Sequence, residues 1–363
     1  MKAVRRISTW SYYLALLPLT LGICAWQGWA WWSWAQSPPV PTQSSNTPAD
    51  KTIQIQIPPG TAAQRIGKDL ESAGLIRSSY AWRLWAYWLR FNDRGGGFKA
   101  GTYKLSPTQP LPAIAQKIWS GEVMQVSFTI PEGWSLQQMA TYFESQGYFK
   151  AQDFLNAASQ IPKDRYPWLP AGIPHLEGYL YPDTYQLPSD RISPRQVIDQ
   201  MLTRFEQVAL PLYQQGRNQT KLSLNQWVIL ASIVEKEAVL PAERPRIAGV
   251  FTQRLRRGMK LETDPTVEYG LGIRQTADKP LTYAQVKTAS PYNTYLNPGL
   301  PPTPIASPGL ASLKAALYPE NTDYLFFVAR YDGSHVFSKT VQQHEAAKVA
   351  IRKQRQAQAK PAP

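Results

Sequence analysis

Ile57-Pro58-Pro59-Gly60, followed by Glu71-Ser72-Ala73-Gly74, comes back along the chain as Ile130-Pro131-Glu132-Gly133 and Glu144-Ser145-Gln146-Gly147, with the same internal spacing. Ahead of each Pro/Gly turn, apolar residues alternate with others: Ile53, Ile55, Ile57 and Val126, Phe128, Ile130. A period of two predicts a short strand. After each turn the apolar positions take helical spacing, Ala63, Ile66, Leu70 and Leu136, Met139, Phe143, which predicts an amphipathic helix. Gly74 and Gly147 suit the residue just past a helix end, where a left-handed backbone is needed. Between the copies lie a Trp-rich helix (Trp82, Trp85, Trp88), a strand (Gly101 to Leu105) and a helix from Leu111 to Trp119. Such short strands mixed with helices predict an α+β fold.

Downstream, the pattern is mostly helical. Helices are expected from about Pro194 to Leu210, Ser223 to Val239, 243–257 and 310–317, with a strand from Tyr324 to Arg330 and a hairpin mate at Val336-Phe337. Loops dense in Pro, Gly, Tyr and Asn separate them up to about residue 310. The tail beyond Glu345 is basic and ends in Lys360-Pro361-Ala362-Pro363.

Apolar residues make up 43% of the 363, enough for sizeable cores. The 39 Lys and Arg against 25 Asp and Glu give a formal net charge of +14, a field that favours anionic partners. No zinc-finger spacing or RNA-binding aromatic signature turns that charge toward nucleic acid. Cys24 is the single cysteine, which excludes an intrachain disulfide or a thiolate metal cluster. Residues 7–49 carry no charge, and Trp10 to Trp34 is rich in Leu, Ala, Ile and Trp. About 20 apolar residues cross a bilayer, so a transmembrane helix over 10–34 is expected. Lys2, Arg5 and Arg6 precede it, which predicts residues 1–9 on the cytoplasmic side. Trp26, Trp29, Trp31, Trp32 and Trp34 would sit at the outer membrane–water boundary. The Pro/Ser/Thr-rich stretch within 35–51 reads as a linker, able to hold the soluble part of the chain roughly 40 Å from the bilayer at about 3 Å per residue.

The segment Leu230-Ala231-Ser232-Ile233-Val234-Glu235-Lys236-Glu237-Ala238 sets two carboxylates in an otherwise apolar helix. At about 100° per residue, Glu237 projects between Leu230 and Ile233, Glu235 between Val228 and Ala231, and Lys236 toward solvent. An acid against apolar walls has a raised pKa and can act as a general acid near neutrality. The wheel equally allows two glutamates at a helix edge, paired with Arg244 or Arg246. Two more clusters are rich in Tyr, Asn, Thr and Asp, the groups that stack on and hydrogen-bond sugars: Glu177-Gly178-Tyr179-Leu180-Tyr181-Pro182-Asp183-Thr184-Tyr185, and Leu261 to Val267 with Tyr292-Asn293-Thr294-Tyr295. Taken singly, each could be turn chemistry.

With these stretches, and with Arg254-Leu255, Gly258-Met259, Tyr269-Gly270, Gly299-Leu300-Pro301-Pro302, Ile305-Ala306 and Pro308-Gly309, the chain resembles the MltG-type (YceG-like) endolytic murein transglycosylases over roughly residues 52 to 350. Glu262 stands where the family pattern leads one to expect a neutral Gln. The resemblance implies Glu237 as the catalytic residue and lytic cleavage of the MurNAc–GlcNAc β-1,4 bond within a strand, leaving a 1,6-anhydroMurNAc end. It implies a glycan-binding, LysM-like region at 52–150 and a catalytic region at 151–350, while the basic composition of 351–363 reads as a flexible tail. Glu177, Asp183, Glu235, Asp264, Thr266, Tyr292 and Asn293 are the candidates to bind substrate or support Glu237. No metal or cofactor is expected. The expected partners are peptidoglycan strands and the membrane, with peptidoglycan synthases and division proteins as candidates. The expected place is the bacterial cytoplasmic membrane, with the soluble part outside. A non-catalytic wall-binding scaffold and a water-using muramidase are the competing readings.

Overall fold

The computed structural model describes residues 13, 16–41, 52–93, 95–189, 192–276, 279–330 and 332–358. The chain divides into two compact units, one of 1–126 with 186–191, the other of 127–185 with 192–363.

In the first unit, α1 (Leu17–Gln36) precedes β1 (Ile53–Ile57), α2 (Ala63–Ser72), α3 (Ser79–Asn92), β2 (Gly101–Leu105) and α4 (Leu111–Ser120). β1 and β2 are antiparallel, Ile53 opposite Leu105 and Ile57 opposite Gly101. Ile57, Tyr103 and Leu105 turn inward to join Ile66, Leu70, Trp82, Ile114 and Ile118 in one core. Gly67 lets Trp82 lie against α2: a Cβ there would come within 2.5 Å of the indole. The indole N–H donates to Ala63 O at 2.8 Å. Trp82 is thus core, Trp85 is partly buried, and Trp88 is exposed.

Residues 1–12, 14 and 15, part of the expected cytoplasmic end and span, lie outside the described residues. Among the described ones no helix is long and apolar enough to cross a membrane, so the expected span at 10–34 is not borne out there. The end of α1 has a different use. Ala35 is fully buried, Trp32 packs on the core of this unit, and Arg77 lies 5.4 Å over the Trp34 ring. The residues after α1 are also fastened, Arg77 Nε donating to Pro38 O and Val40 N–H to Pro107 O. The expected linker is therefore docked at least as far as Val40, and residues 42–51 lie outside the described residues.

The repeat is real in three dimensions. The second copy is β3 (Gln125–Thr129), α5 (Leu136–Ser145), α6 (Ala151–Ala158) and β4 (Thr184–Pro188), with β3 paired to β4. Its order, strand–helix–helix–strand, is that of β1, α2, α3, β2. Gly74 (φ 70°) and Gly147 (φ 73°) occupy the same helix-ending position. The closing strand lies past the expected boundary at 150, in a run that reads as a loop from its Tyr and Asp content. Alternate burial of Tyr185 and Leu187 gives it a strand's two faces.

The rest of the second unit is α7 (Pro194–Gly216), α8 (Leu224–Glu237), α9 (Arg244–Arg256), α10 (Asp264–Leu271), α11 (Tyr283–Val286), α12 (Leu310–Leu317), the hairpin β5 (Phe326–Ala329) and β6 (His335–Ser338), and α13 (Val341–Gln358). α7 runs on past the expected stop at Leu210, with Pro211 inside it. Its last residue, Gly216, is buried against Leu317 and Tyr318, a fit that a Cβ would close.

Candidate active site

Ser223 starts α8 by a reciprocal cap: its hydroxyl accepts the Gln226 N–H, and the Gln226 side chain returns to the Ser223 N–H. From Trp227 to Val234 every residue of α8 is buried. Trp227 donates its indole N–H to Leu313 O of α12 at 2.9 Å, and Ser232 accepts the Ile305 N–H at 3.1 Å. A helix fixed on all sides holds its last residue, Glu237, in a set place.

Glu237 is partly buried, and the Thr263 hydroxyl donates to its Oε1. Burial pushes its pKa up to about 7. The Thr263 hydrogen bond opposes the rise, the neighbouring charges of Asp264 and Glu268 add to it, and Arg254 opposes it. Its protonated form is therefore far more accessible near neutral pH than that of an ordinary glutamate. Thr263 is fixed in turn. Its N–H donates to Thr294 Oγ1 at 3.1 Å, and Thr266, buried, bonds Thr263 O at 2.7 Å and Thr294 Oγ1 at 2.8 Å. Arg254 clamps the preceding loop through the carbonyls of Lys260, Leu261 and Leu325 and the Glu262 carboxylate at 3.1 Å. This gives the charged residue at 262 its role: Glu262 adopts φ 50°, which side chains disfavour, and the ion pair with Arg254 helps hold it.

Beside this acid lies a cleft of about 630 Å³, with Leu136, Glu177, Lys236, Glu268, Tyr269 and Arg274 in its walls. Glu237 is not itself in the lining; it approaches the cleft through its neighbours Lys236 and Glu268. Lys236, read as pointing to open solvent, is exposed but stands on the cleft wall, its ammonium 3.4 Å from Gly133 O.

The other candidates separate by what they touch. Asp264 accepts from the Tyr295 hydroxyl at 2.7 Å and acts on Glu237 through its charge. Glu177 is buried and accepts the Leu136 N–H at the start of α5 and the Tyr269 hydroxyl, at 3.1 and 2.9 Å. Burial raises its pKa to about 7, and these bonds work against the rise. The ring of Tyr292 packs edge-on against Tyr269, and its hydroxyl meets Thr303 at 2.9 Å. Asn293 is buried and wholly occupied by backbone: it donates to Val286 O and Thr288 O and accepts the Tyr295 N–H. It shapes the loop and has no face left for a ligand. Asp183 is paired with Arg204 at 2.7 Å, and the cleft lining does not include it. Glu235 realises the ion-pair alternative, with Arg244 at 3.5 Å and the Gly309 N–H at 3.1 Å. Of the two acids in the helix, Glu235 is held by an ion pair and Glu237 by the Thr263 hydroxyl.

Sequence reasoning missed Thr263, Glu268 and Tyr269 as site residues. The Thr-Asp-Pro-Thr-Val run contained the signal for the first: a threonine at the start of a short helix beside the motif's aspartate. The Thr263 hydroxyl makes no capping bond and turns to Glu237 instead.

Fold and site together define an α+β protein with a glutamate of raised pKa at the end of a buried helix, beside an open cleft. The chain belongs to the YceG-like family, whose profile matches residues 55–350. It is 36% identical over 313 residues to the endolytic murein transglycosylase of Bacillus subtilis (strain 168), covering 82% of this chain and 84% of that protein. The endolytic murein transglycosylase of Streptococcus pneumoniae serotype 2 (strain D39) is 30% identical over 328 residues, and this chain spans 58% of its length. The 2.6 Å crystal structure of a YceG-like protein from Listeria monocytogenes is 35% identical, with a TM-score of 0.56 over 82% of this chain and 99% of that one.

Proposed function

We propose that this protein is an endolytic peptidoglycan lytic transglycosylase, cutting the MurNAc–GlcNAc β-1,4 bond inside glycan strands with Glu237 as the acid and base. The observation that carries the reading is Glu237 itself, held near a pKa of 7 by burial beside the Thr263 hydroxyl and an open cleft. The names borne by the relatives point to the same reaction.

One acid suffices for the chemistry. Protonated Glu237 gives its proton to the glycosidic oxygen as the C1–O bond breaks through an oxocarbenium-like state. The GlcNAc side leaves with a new 4-hydroxyl. The Glu237 carboxylate then takes the proton of the MurNAc 6-hydroxyl, whose oxygen bonds to C1 and closes the 1,6-anhydro ring. No water is consumed, and Glu237 ends protonated as it began. Asp264 supports the proton on Glu237 by its charge. Glu177, Thr266, Tyr292 and Asn293 hold the helix ends and loops around it.

We also propose that the N-terminal segment holds the chain at the bacterial cytoplasmic membrane, with both units on the outer side. Leu17, Leu19, Leu21, Ile23, Trp26 and Trp29 all stand exposed along α1, an apolar surface suited to lipid. The strand–helix–helix–strand copies are proposed as LysM-like glycan contacts, and synthases or division proteins as further partners.

The test is Glu237→Gln in the full chain, with the products of wall digestion weighed by mass spectrometry. The parent is expected to leave ends one water lighter than reducing ends, and the variant to lose at least about a hundred-fold in rate while keeping its fold. Reducing ends would establish a muramidase instead. Undiminished cleavage by the variant, or no cleavage by the parent, would leave a wall-binding scaffold.

A further inference from the structure

Most of the buried or half-buried arginines of the second unit are spoken for. Arg244 pairs with Glu235, Arg246 with Glu320 and Arg254 with Glu262. Arg274 differs. It is exposed, it lines the cleft beside Glu237, and among the described residues it makes no hydrogen bond or ion pair. Lys236 stands on the same lining, and its one hydrogen bond is a long one, 3.4 Å to Gly133 O. The two cations act on each other: burial and then the charge of Arg274 lower the Lys236 pKa.

The cleft's carboxylates, by contrast, are engaged. Glu177 serves the Leu136 N–H and the Tyr269 hydroxyl, and Glu268 accepts the Gln275 N–H at 3.1 Å. Burial lowers the pKa of His175, another titratable group of the wall. Arg274, with no hydrogen bond or ion pair among the described residues, and Lys236, with one long bond to Gly133 O, line a space large enough for a ligand. A guanidinium fork and an ammonium together fit a planar carboxylate.

We propose that Lys236 and Arg274 form a subsite for a carboxylate carried by the substituent on the muramic acid ring, either a free acid of the peptide stem or the lactyl acid of a stripped ring. This rests on the glycan-cleaving reading above. Lys236 directly precedes Glu237 in α8, about 1.5 Å along the helix axis, so an anion held there fixes the ring that the acid must reach. The pair is a specificity element for substituted strands, separate from the chemistry.

Binding of three soluble strand preparations to the Glu237→Gln protein tests this without depending on cleavage. One preparation bears stems with free carboxylates, the second bears the same stems amidated, and the third has been stripped of peptide to expose lactyl acids. Free-acid stems are expected to bind roughly ten-fold more tightly than amidated ones. Adding Arg274→Gln should erase that gap while leaving the amidated strands unchanged, and Arg274→Lys should restore part of it. If stripped strands carry the Arg274-dependent gain, the lactyl acid is the occupant. Equal binding of all three preparations, or a gap that survives Arg274→Gln, would overturn the proposal. Failure of the parent to cleave any strand would instead count against the enzymatic reading and leave this binding result standing.

Discussion

Replacing the Thr263 hydroxyl by a methyl group would show how Glu237 keeps its proton. That hydroxyl donates to the carboxylate, so it favours the charged form and holds the pKa below what burial alone would impose. The reaction starts from the protonated acid, so the rate of the parent should fall as pH rises above about 7. Thr263→Val should move that fall upward by up to about one pH unit, the size of one hydrogen bond to a charged group. A pH profile of kcat/KM that does not move, or moves down, would refute the coupling. At this scale the sequence was half legible. Helical spacing placed Glu235 and Glu237 at the rim of a buried arc but could not say which of them was paired. The answer depends on Arg244 and Gly309 for one acid and Thr263 for the other, contacts made only when distant segments meet. Lys236 is exposed as expected, and its place on the cleft wall depends on α10 and the turn after it, which the helix wheel does not contain.

The start of α5 shows what an element asks of a single side chain. Its first N–H, at Leu136, would be buried without a partner but for Glu177. Glu177→Ala should leave that donor and the Tyr269 hydroxyl unsatisfied, costing about 1–3 kcal/mol in urea unfolding, and Glu177→Gln should cost less. The pH sign follows from the raised pKa. For both Glu177 and Glu237 the folded value, about 7, lies above the ordinary 4.5, so their contribution to stability is whole below about pH 4.5 and is lost as pH rises through 7. The drop in parent stability from pH 5 to 8 should therefore shrink in Glu177→Gln, and an unchanged drop in urea midpoints would count against it. Elements were legible where local chemistry marks them. The helices expected from about Ser223 to Val239 and over 310–317 lie close to those found, Leu224–Glu237 and Leu310–Leu317. β4 was lost because Tyr and Asp in a short run also describe a loop, and only its partner β3 makes it a strand.

For the whole molecule, the expectation that can be checked most directly concerns α1. Its exposed leucines and tryptophans should hold the full chain in the membrane fraction through a carbonate wash, and recovery in the supernatant would sink the membrane reading. The apolar, charge-free N-terminus reads in sequence as a membrane span, which no helix of the described residues bears out. The docking of Trp32 and Ala35 into the first unit was not legible, since tryptophans at a bilayer edge and tryptophans in a core have the same composition. The chain passes from one unit to the other inside β3 and again inside β4. The second copy is therefore not a cassette of its own, whereas the first, from β1 to β2, lies within one unit. A graft spliced at residue 150 would carry off one edge of that ribbon and strand the other in the host, so the shortest transplantable piece that keeps the ribbon intact begins before Gln125 and ends after Pro188.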